Sequence, residues 1–316
     1  MSTNTTAYIS SILANTTCYE AKPDVTTAVI VIVDAILAVG AIFGNLVVMS
    51  AVYKYRQLRT VTNVFVVSLA AADLLVGLNV PYYVLFYFNT PLSCNKYGCL
   101  LRYCSTIYAS GCSMLSLVGV AIDRYVAIIY ALSYPRIMTF RYATLYIVIV
   151  WLYMGVISSM PLFGIGETFK PGNECDLYYT HTSTYALSVV AAHVLFTLVS
   201  TTVLYGIIFR EAWKQSLAVA ALEINHRVHK EAKTARTMAL VLGVCLIGFL
   251  PYFCSITVRY IDGIKQEQVD AVKRWMVCLY FGKSALNPIV YGWKNRDFRS
   301  AFKRLLLTKN RPERVN

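Results

Sequence analysis

Seven separate stretches of mainly apolar residues, at about 26–52, 61–88, 97–129, 142–163, 182–209, 235–259 and 271–292, dominate this chain. Their length is what constrains the fold. A helix needs ~20 residues to cross the hydrocarbon of a bilayer, where backbone groups find no water and must bond within their own segment. Several of the stretches exceed that length, as helices that run on into the interfacial water do. At 57% hydrophobic and 14% charged residues, the 316-residue chain carries more apolar surface than one water-soluble core can bury. The expected fold is an all-α membrane protein, a bundle of seven transmembrane helices, with no internal repeat and no separate soluble domain. Three regions follow: a polar, extracellular N-terminal tail over 1–25, the bundle over 26–292, and a cytoplasmic segment over 293–316. Met1 to Asp24 show neither a basic start nor an apolar run, so the first span is expected to direct insertion itself.

Lys and Arg orient such a bundle, because short cytoplasmic loops hold an excess of them. With the N-terminus outside, three fall in the first inner loop (Lys54, Arg56, Arg59) and two in the second (Arg136, Arg141). Six lie around the third (Arg210, Lys214, Arg227, Lys230, Lys233, Arg236), and eight in the tail from Lys294 to Arg314. Eight fall on or near the outer side, Arg102, Arg259, Lys273 and Arg274 among them, while Arg124 and Lys283 lie within spans. The net charge of +13 therefore reads as membrane topology and attraction to anionic lipid, not as nucleic-acid binding. Sequons at Asn4 and Asn15 agree with an outer N-terminus and are candidate glycosylation sites.

The nine cysteines form no paired metal-binding array. Cys99 at the outer start of the third span and Cys175 in the loop after the fourth both face an oxidising compartment, and a disulfide is expected there. Cys18 and Cys94 make a second candidate pair. Cys104, Cys112, Cys245, Cys254 and Cys278 fall within spans, where cysteine behaves as a small apolar residue. No nucleophile, base and orienting group can be assembled into an enzyme site, and no cofactor is expected.

Polar side chains inside a bilayer are costly, about 2.5–3.5 kcal/mol for a central charge on insertion scales, so their placement is informative. The first span holds Gly44-Asn45 and the second Leu69-Ala70-Ala71-Ala72-Asp73-Leu74; the third ends in Asp123-Arg124-Tyr125 and the fourth contains Trp151. Pro251 interrupts the sixth, and the seventh carries Asn287-Pro288-Ile289-Val290-Tyr291, followed by Asp297-Phe298-Arg299. Taken in order, these motifs resemble the rhodopsin-like class of G-protein-coupled receptors over nearly the whole chain. Phe65 to Asp73 and Asn295 to Arg299 are most similar to adenosine receptors.

The resemblance implies a plasma-membrane receptor with an extracellular small ligand, a heterotrimeric G protein as partner, and lipids around it. It implies that Arg124 pairs with Asp123 and with Glu231 at the base of the sixth helix. Breaking that lock would let the helix swing out, with Tyr125 completing the motif and Leu132 inserting into the G protein. Pro251 removes a backbone hydrogen bond and bends the sixth helix; Pro288 does the same in the seventh. Tyr205 matches a tyrosine that turns toward Tyr291 on activation. The pocket carried over from the family comprises Thr106, Ser110, His193, Phe249, Tyr252, Phe253, Val277, Tyr280 and Phe281. The segment Lys294 to Leu306 sets Phe298, Phe302 and Leu305 on one face and basic residues on the other, which predicts a short amphipathic eighth helix at the cytoplasmic interface.

Several departures matter. Asp73, Ser113 and Asn287 match a sodium-binding cluster, but Lys283 stands one turn from Asn287 on the same face, where a neutral polar residue is usual. Its ammonium is expected to occupy the sodium position and pair with Asp73; the alternative is a snorkelling or neutral lysine. Phe249 replaces a tryptophan, Cys245 a phenylalanine, and Thr197 a proline. Thr106 stands where amine receptors hold an aspartate, so a simple amine ligand is not expected. Leu177, Ile256 and Phe281 depart from the adenosine site, although Asp34 could stand in for a glutamate there. Arg102, Arg259 and Arg274 either ring the mouth or face headgroups. Two alternatives stay open: a retinal-free opsin relative with high basal activity and, from another class, a membrane transporter.

Overall fold

The computed structural model describes residues 24–88, 90–170, 175–220, 226–258 and 266–307. Seven long helices are present: Val25–Lys54 (α1), Val61–Leu85 (α2), Lys96–Ile129 (α3), Phe140–Ser159 (α4), Ala192–Ala220 (α5), His226–Val258 (α6) and Gln266–Lys294 (α7). A shorter helix, Arg296–Leu307 (α8), follows. Short polar side chains start them. Asp24 Oδ1 accepts from the Thr27 amide at 2.7 Å, Asn95 Oδ1 from Gly98 at 2.9 Å, and Thr60 and Thr139 cap α2 and α4 in the same way. Such caps satisfy amides that have no carbonyl partner at a helix start.

Among the described residues, five helices are long and apolar enough to cross a membrane. In α6 the apolar run is shorter, Ala239–Ser255. Four polar residues of α7 are buried: Lys273, Lys283, Ser284 and Asn287. On α1, Ile32, Ile36, Val39 and Phe43 form an exposed apolar stripe at helical spacing, and Leu145, Ile149, Leu152 and Val156 do so on α4. An exterior of that kind suits hydrocarbon and not water. The architecture is an all-α, seven-helix membrane bundle.

Helix α3 is the axis of the bundle and packs on α2, α4, α5 and α6, while α7 joins α1, α2 and α6. Close approach depends on Gly111, where a Cβ would sit 2.0 Å from Met154 Cε of α4. In the loop after α4, Gly166 adopts φ 78°, a left-handed conformation that disfavours side chains, and a Cβ there would press on the Tyr185 ring at 2.9 Å. The apolar face of α8 packs back on the bundle: Phe298 and Ala301 are fully buried, and Phe298 stacks on Tyr291 with centroids 5.5 Å apart. The end of α7 thus offers the apolar face of α8 an aromatic partner.

Candidate functional site

Three polar or concave features lie along the bundle. The first is at the end where Cys99 and Cys175 form a disulfide, with Cα atoms 5.7 Å apart, which ties the loop after α4 onto α3. Tyr103 donates to the Cys175 carbonyl at 3.2 Å and Arg102 to the same oxygen at 3.4 Å. Asp176 continues the loop and pairs with the buried Lys273 of α7. Arg102 is not at a mouth, as one sequence reading had it. It is buried, its guanidinium 3.6 Å from the Tyr83 ring centroid, where cation–π contact offsets part of its desolvation.

Beneath this loop lies a cavity of about 50 Å³. Thr106, Ser110, His193, Phe249, Tyr252 and Tyr280 of the expected pocket line it. Phe253, Val277 and Phe281 do not; they pack in the adjoining apolar cluster, with Phe281 set edge-on to Tyr83. Half of the wall residues missed by sequence reasoning are on α3, namely Tyr103, Ile107, Gly111 and Met114; the others are Met154, Leu177, Val189 and Val194. Those on α3 extend the face of Thr106 and Ser110 at spacings of three and four, a periodicity that could have found them. Ser110 and Tyr280 share a hydrogen bond across the cavity floor. The Thr106 hydroxyl donates to the Arg102 carbonyl at 2.7 Å. No acidic side chain stands among the described wall residues. Asp34 of α1 is fully buried with both carboxylate oxygens unpartnered, but it is not on that wall.

The second feature is the polar core. Asp73 Oδ2 accepts from Asn287 Nδ2 at 2.6 Å, and Oδ1 accepts from Ser284 at 2.7 Å and Ser113 at 3.2 Å. Lys283 Nζ lies 3.5 Å from Oδ1 and donates to Ser113 Oγ at 3.3 Å. Asp73 and Lys283 are both essentially inaccessible to solvent. Asn45 adds a link that follows from the sequence: Pro288 has no N–H for the carbonyl four residues back, Ser284, and Asn45 Nδ2 donates to that oxygen at 3.0 Å. Gly44 leaves room for the proline ring, since a Cβ there would sit 2.8 Å from Pro288 Cγ.

The third feature is at the opposite end of α3. Asp123 Oδ2 accepts from Arg124 at 2.6 Å and from Thr62 at 2.7 Å, and Oδ1 accepts from Tyr134 at 2.7 Å. Arg124 also donates to the Thr62 hydroxyl. Thr62 and Tyr134 were not singled out from sequence. Glu231 lies within α6, but its side chain, like Asn4, Asn15, Cys18 and Arg259, lies outside the described residues; Cys94 is disulfide-bonded. Tyr125 meets Tyr130 edge-on, and Leu132 is 96% exposed. Tyr291 is buried with its hydroxyl unpartnered, and Tyr205 is half-buried against the same cluster.

A family model described as "7 transmembrane receptor (rhodopsin family)" matches residues 44–291. The chain belongs to that family. It is a receptor and not an enzyme. The receptor is 31% identical to the octopamine receptor beta-2R of Chilo suppressalis, over 86% of this chain and 78% of that one. It is 31% identical to the human histamine H2 receptor, over 87% and 79%. It is 30% identical to the octopamine receptor beta-1R of Drosophila melanogaster over 85% of this chain, but spans only 60% of that relative's length. These relatives correct the narrower likeness to adenosine receptors, which rested on two short motifs.

Around the receptor's loop, burial and charge shift two groups. Burial pushes the His181 imidazole down to about 4 against the pull of Glu167 and Asp176, so it is neutral at pH 7. Its ring stacks on Tyr185, and its Nε2 is buried without a partner. Lys96, paired with Glu167 at 2.5 Å, holds that carboxyl below its ordinary value.

Proposed function

We propose that this receptor sits in the plasma membrane with its N-terminus and disulfide outside. It takes a small extracellular ligand in the cavity under the loop and activates a heterotrimeric G protein by outward movement of α6 at the Arg124 end. One observation carries the reading: a mostly apolar cavity and the Arg124 cluster share the same buried helix. Ser110 on the cavity wall and Arg124 are fourteen residues apart, about 20 Å at 1.5 Å per residue. A ligand moves such an equilibrium only by binding one arrangement of the bundle better than the other. Asp123, Arg124 and Tyr125, with Glu231, are the lock in this reading; Leu132 meets the G protein; Asn287, Pro288, Tyr291 and Tyr205 rearrange on opening. Residues 293–316 are cytoplasmic, with α8 at the lipid interface.

The ligand in this reading is compact and aromatic, held by rings and hydrogen bonds rather than by an ion pair. The relatives' names point to amines, but Thr106 offers a hydroxyl where an ammonium needs a carboxylate. His193 Nδ1 bonds the Val189 carbonyl, which leaves Nε2 as an acceptor for a ligand donor. In the polar core, the Lys283 ammonium takes the place of sodium beside Asp73, since a buried carboxylate and a buried ammonium each need the other.

Nucleotide exchange by the reconstituted receptor on a panel of G-protein subtypes, with and without compound libraries, tests the function. Ligand-raised exchange on at least one subtype is expected. Absence of exchange on every subtype under all conditions, or substrate flux through receptor-containing liposomes, would overturn it. Thr106→Asp is expected to create a response to octopamine or histamine that the unaltered receptor lacks.

A further inference from the structure

Directly beneath Phe249 a second, smaller chamber opens between α3, α5, α6 and α7. Its walls are largely apolar, with Met114, Leu117, Val194, Leu242 and Leu246 among them, and it has room for a single water-sized particle. Three polar side chains also line it: Ser113, Thr197 and Lys283. Thr197 stands where the resemblance leads one to expect a proline. Its side chain is 1% exposed, and its hydroxyl has no hydrogen-bond partner. An orphaned buried hydroxyl forfeits the bonds it makes to water, so something is expected to satisfy it.

The charge in the chamber is unevenly shared. Asp73 is fully provided for, with donors from Ser113, Ser284, Asn287 and Lys283. Lys283 is not. An ammonium has three N–H donors, and the contacts made here, at 3.5 Å and 3.3 Å, are longer than the ~2.7–2.9 Å of good charge-assisted bonds. The remaining neighbour of note is the face of Tyr280, at 5.6 Å from its centroid. Donor capacity of the ammonium is thus left over at the wall of a chamber that the Thr197 hydroxyl also lines. A cation is repelled there. A monatomic anion would accept from both groups at once.

We propose that this chamber is a binding site for a single chloride-sized anion, held by Lys283 Nζ and the Thr197 hydroxyl and enclosed by the apolar side chains beneath Phe249. The occupant would bridge α5 to α7 at the level where the ligand cavity meets the polar core, so anion binding would alter the stability of the closed bundle. The proposal rests on the reading of Lys283 as a charged partner of Asp73, and the test separates the two.

Thermal melts of the full-length receptor in nanodiscs, at fixed ionic strength in sodium chloride, choline chloride and sodium gluconate, provide the test. Both chloride salts are expected to raise the midpoint above gluconate by roughly 2–4 °C, as an anion in excess of its dissociation constant would. Thr197→Val, which keeps the volume and removes the hydroxyl, is expected to abolish the chloride shift, and Thr197→Ser to retain it. Equal midpoints in sodium chloride and sodium gluconate would overturn the proposal and leave an internal water as the occupant. A chloride shift undiminished in Thr197→Val would also overturn it. A difference between sodium chloride and choline chloride speaks instead against Lys283 standing in for sodium, and it is read independently of the anion comparison.

Discussion

Two acid–base pairs buried within the helices, among the described residues, are built differently. Asp123 and Arg124 are sequence neighbours at one end of α3, joined at 2.6 Å and braced by Thr62 and Tyr134. Asp73 and Lys283 stand on different helices, 210 positions apart, in a longer contact of 3.5 Å deep in the bundle. The first pair is local: one helix supplies both charges, and water is close once that end opens. The second pair is tertiary. It exists only if α2 and α7 are already packed, so its loss reports on the bundle as a whole. A switch can be made from the first kind, while the second kind is a clamp.

Unpairing the clamp is expected to have the largest effect. Asp73→Ala leaves the Lys283 ammonium buried and uncompensated and should cost about 3–5 kcal/mol, seen as a fall in melting temperature and in surface expression. The double change Asp73→Asn with Lys283→Met removes both charges and should recover most of that loss. If the double variant is no better than Asp73→Ala, the two groups do not act as a pair.

The local pair should respond with activity more than with stability. Asp123→Asn weakens the acceptor that Arg124, Thr62 and Tyr134 share, at about 1.5–3 kcal/mol for hydrogen bonds to a charged group. Ligand-free nucleotide exchange should rise several-fold with a modest loss of stability. Exchange that stays at the level of the unaltered receptor would remove the switch from the account. Between the two lies Asn45→Ala, which orphans the Ser284 carbonyl left over by Pro288 and should cost about 1–3 kcal/mol in a melt.

The smallest expected effect concerns pH at the disulfide end. His181 is held down to about 4 from an ordinary 6.5, so the unfolded chain takes up its proton first as the medium is acidified. Stability contributed by the neutral ring is complete above pH 6.5 and is lost as pH falls toward 4, at up to ~1.4 kcal/mol per pH unit. Glu167, lowered by Lys96, adds a loss only below its ordinary 4.5. His181→Gln should flatten the melting profile between pH 6.5 and 5, and an unchanged slope would assign the acid sensitivity to other groups.

The difference between the pairs also separates what sequence could and could not reveal. The seven helices were legible because each apolar run is local, and the spans expected from sequence coincide with the helices to within a few residues at most ends. Asp123-Arg124 was legible as a neighbouring pair. The Lys283 contact was legible because a charge in mid-span needs a partner and the nearest acid by motif was Asp73. Thr62, Tyr134 and Ser284 were not, because a hydroxyl among apolar residues is ordinary and only the fold brings it to a carboxylate. Arg102 was read as a surface charge, although α3 carries it beneath the loop and against Tyr83. Phe281 and Val277 were carried over from the family's pocket, but the aromatic cluster formed by Tyr83 and Tyr280 draws them off the wall.

The clamp is also the most direct point at which to test the account. Melting of the purified receptor should be followed while sodium replaces choline at constant chloride and ionic strength. With the Lys283 ammonium already beside Asp73, the midpoint is predicted to stay flat across the titration, and to become sodium-dependent once Lys283→Ser opens the site. A midpoint that climbs with sodium while Lys283 is in place would contradict it.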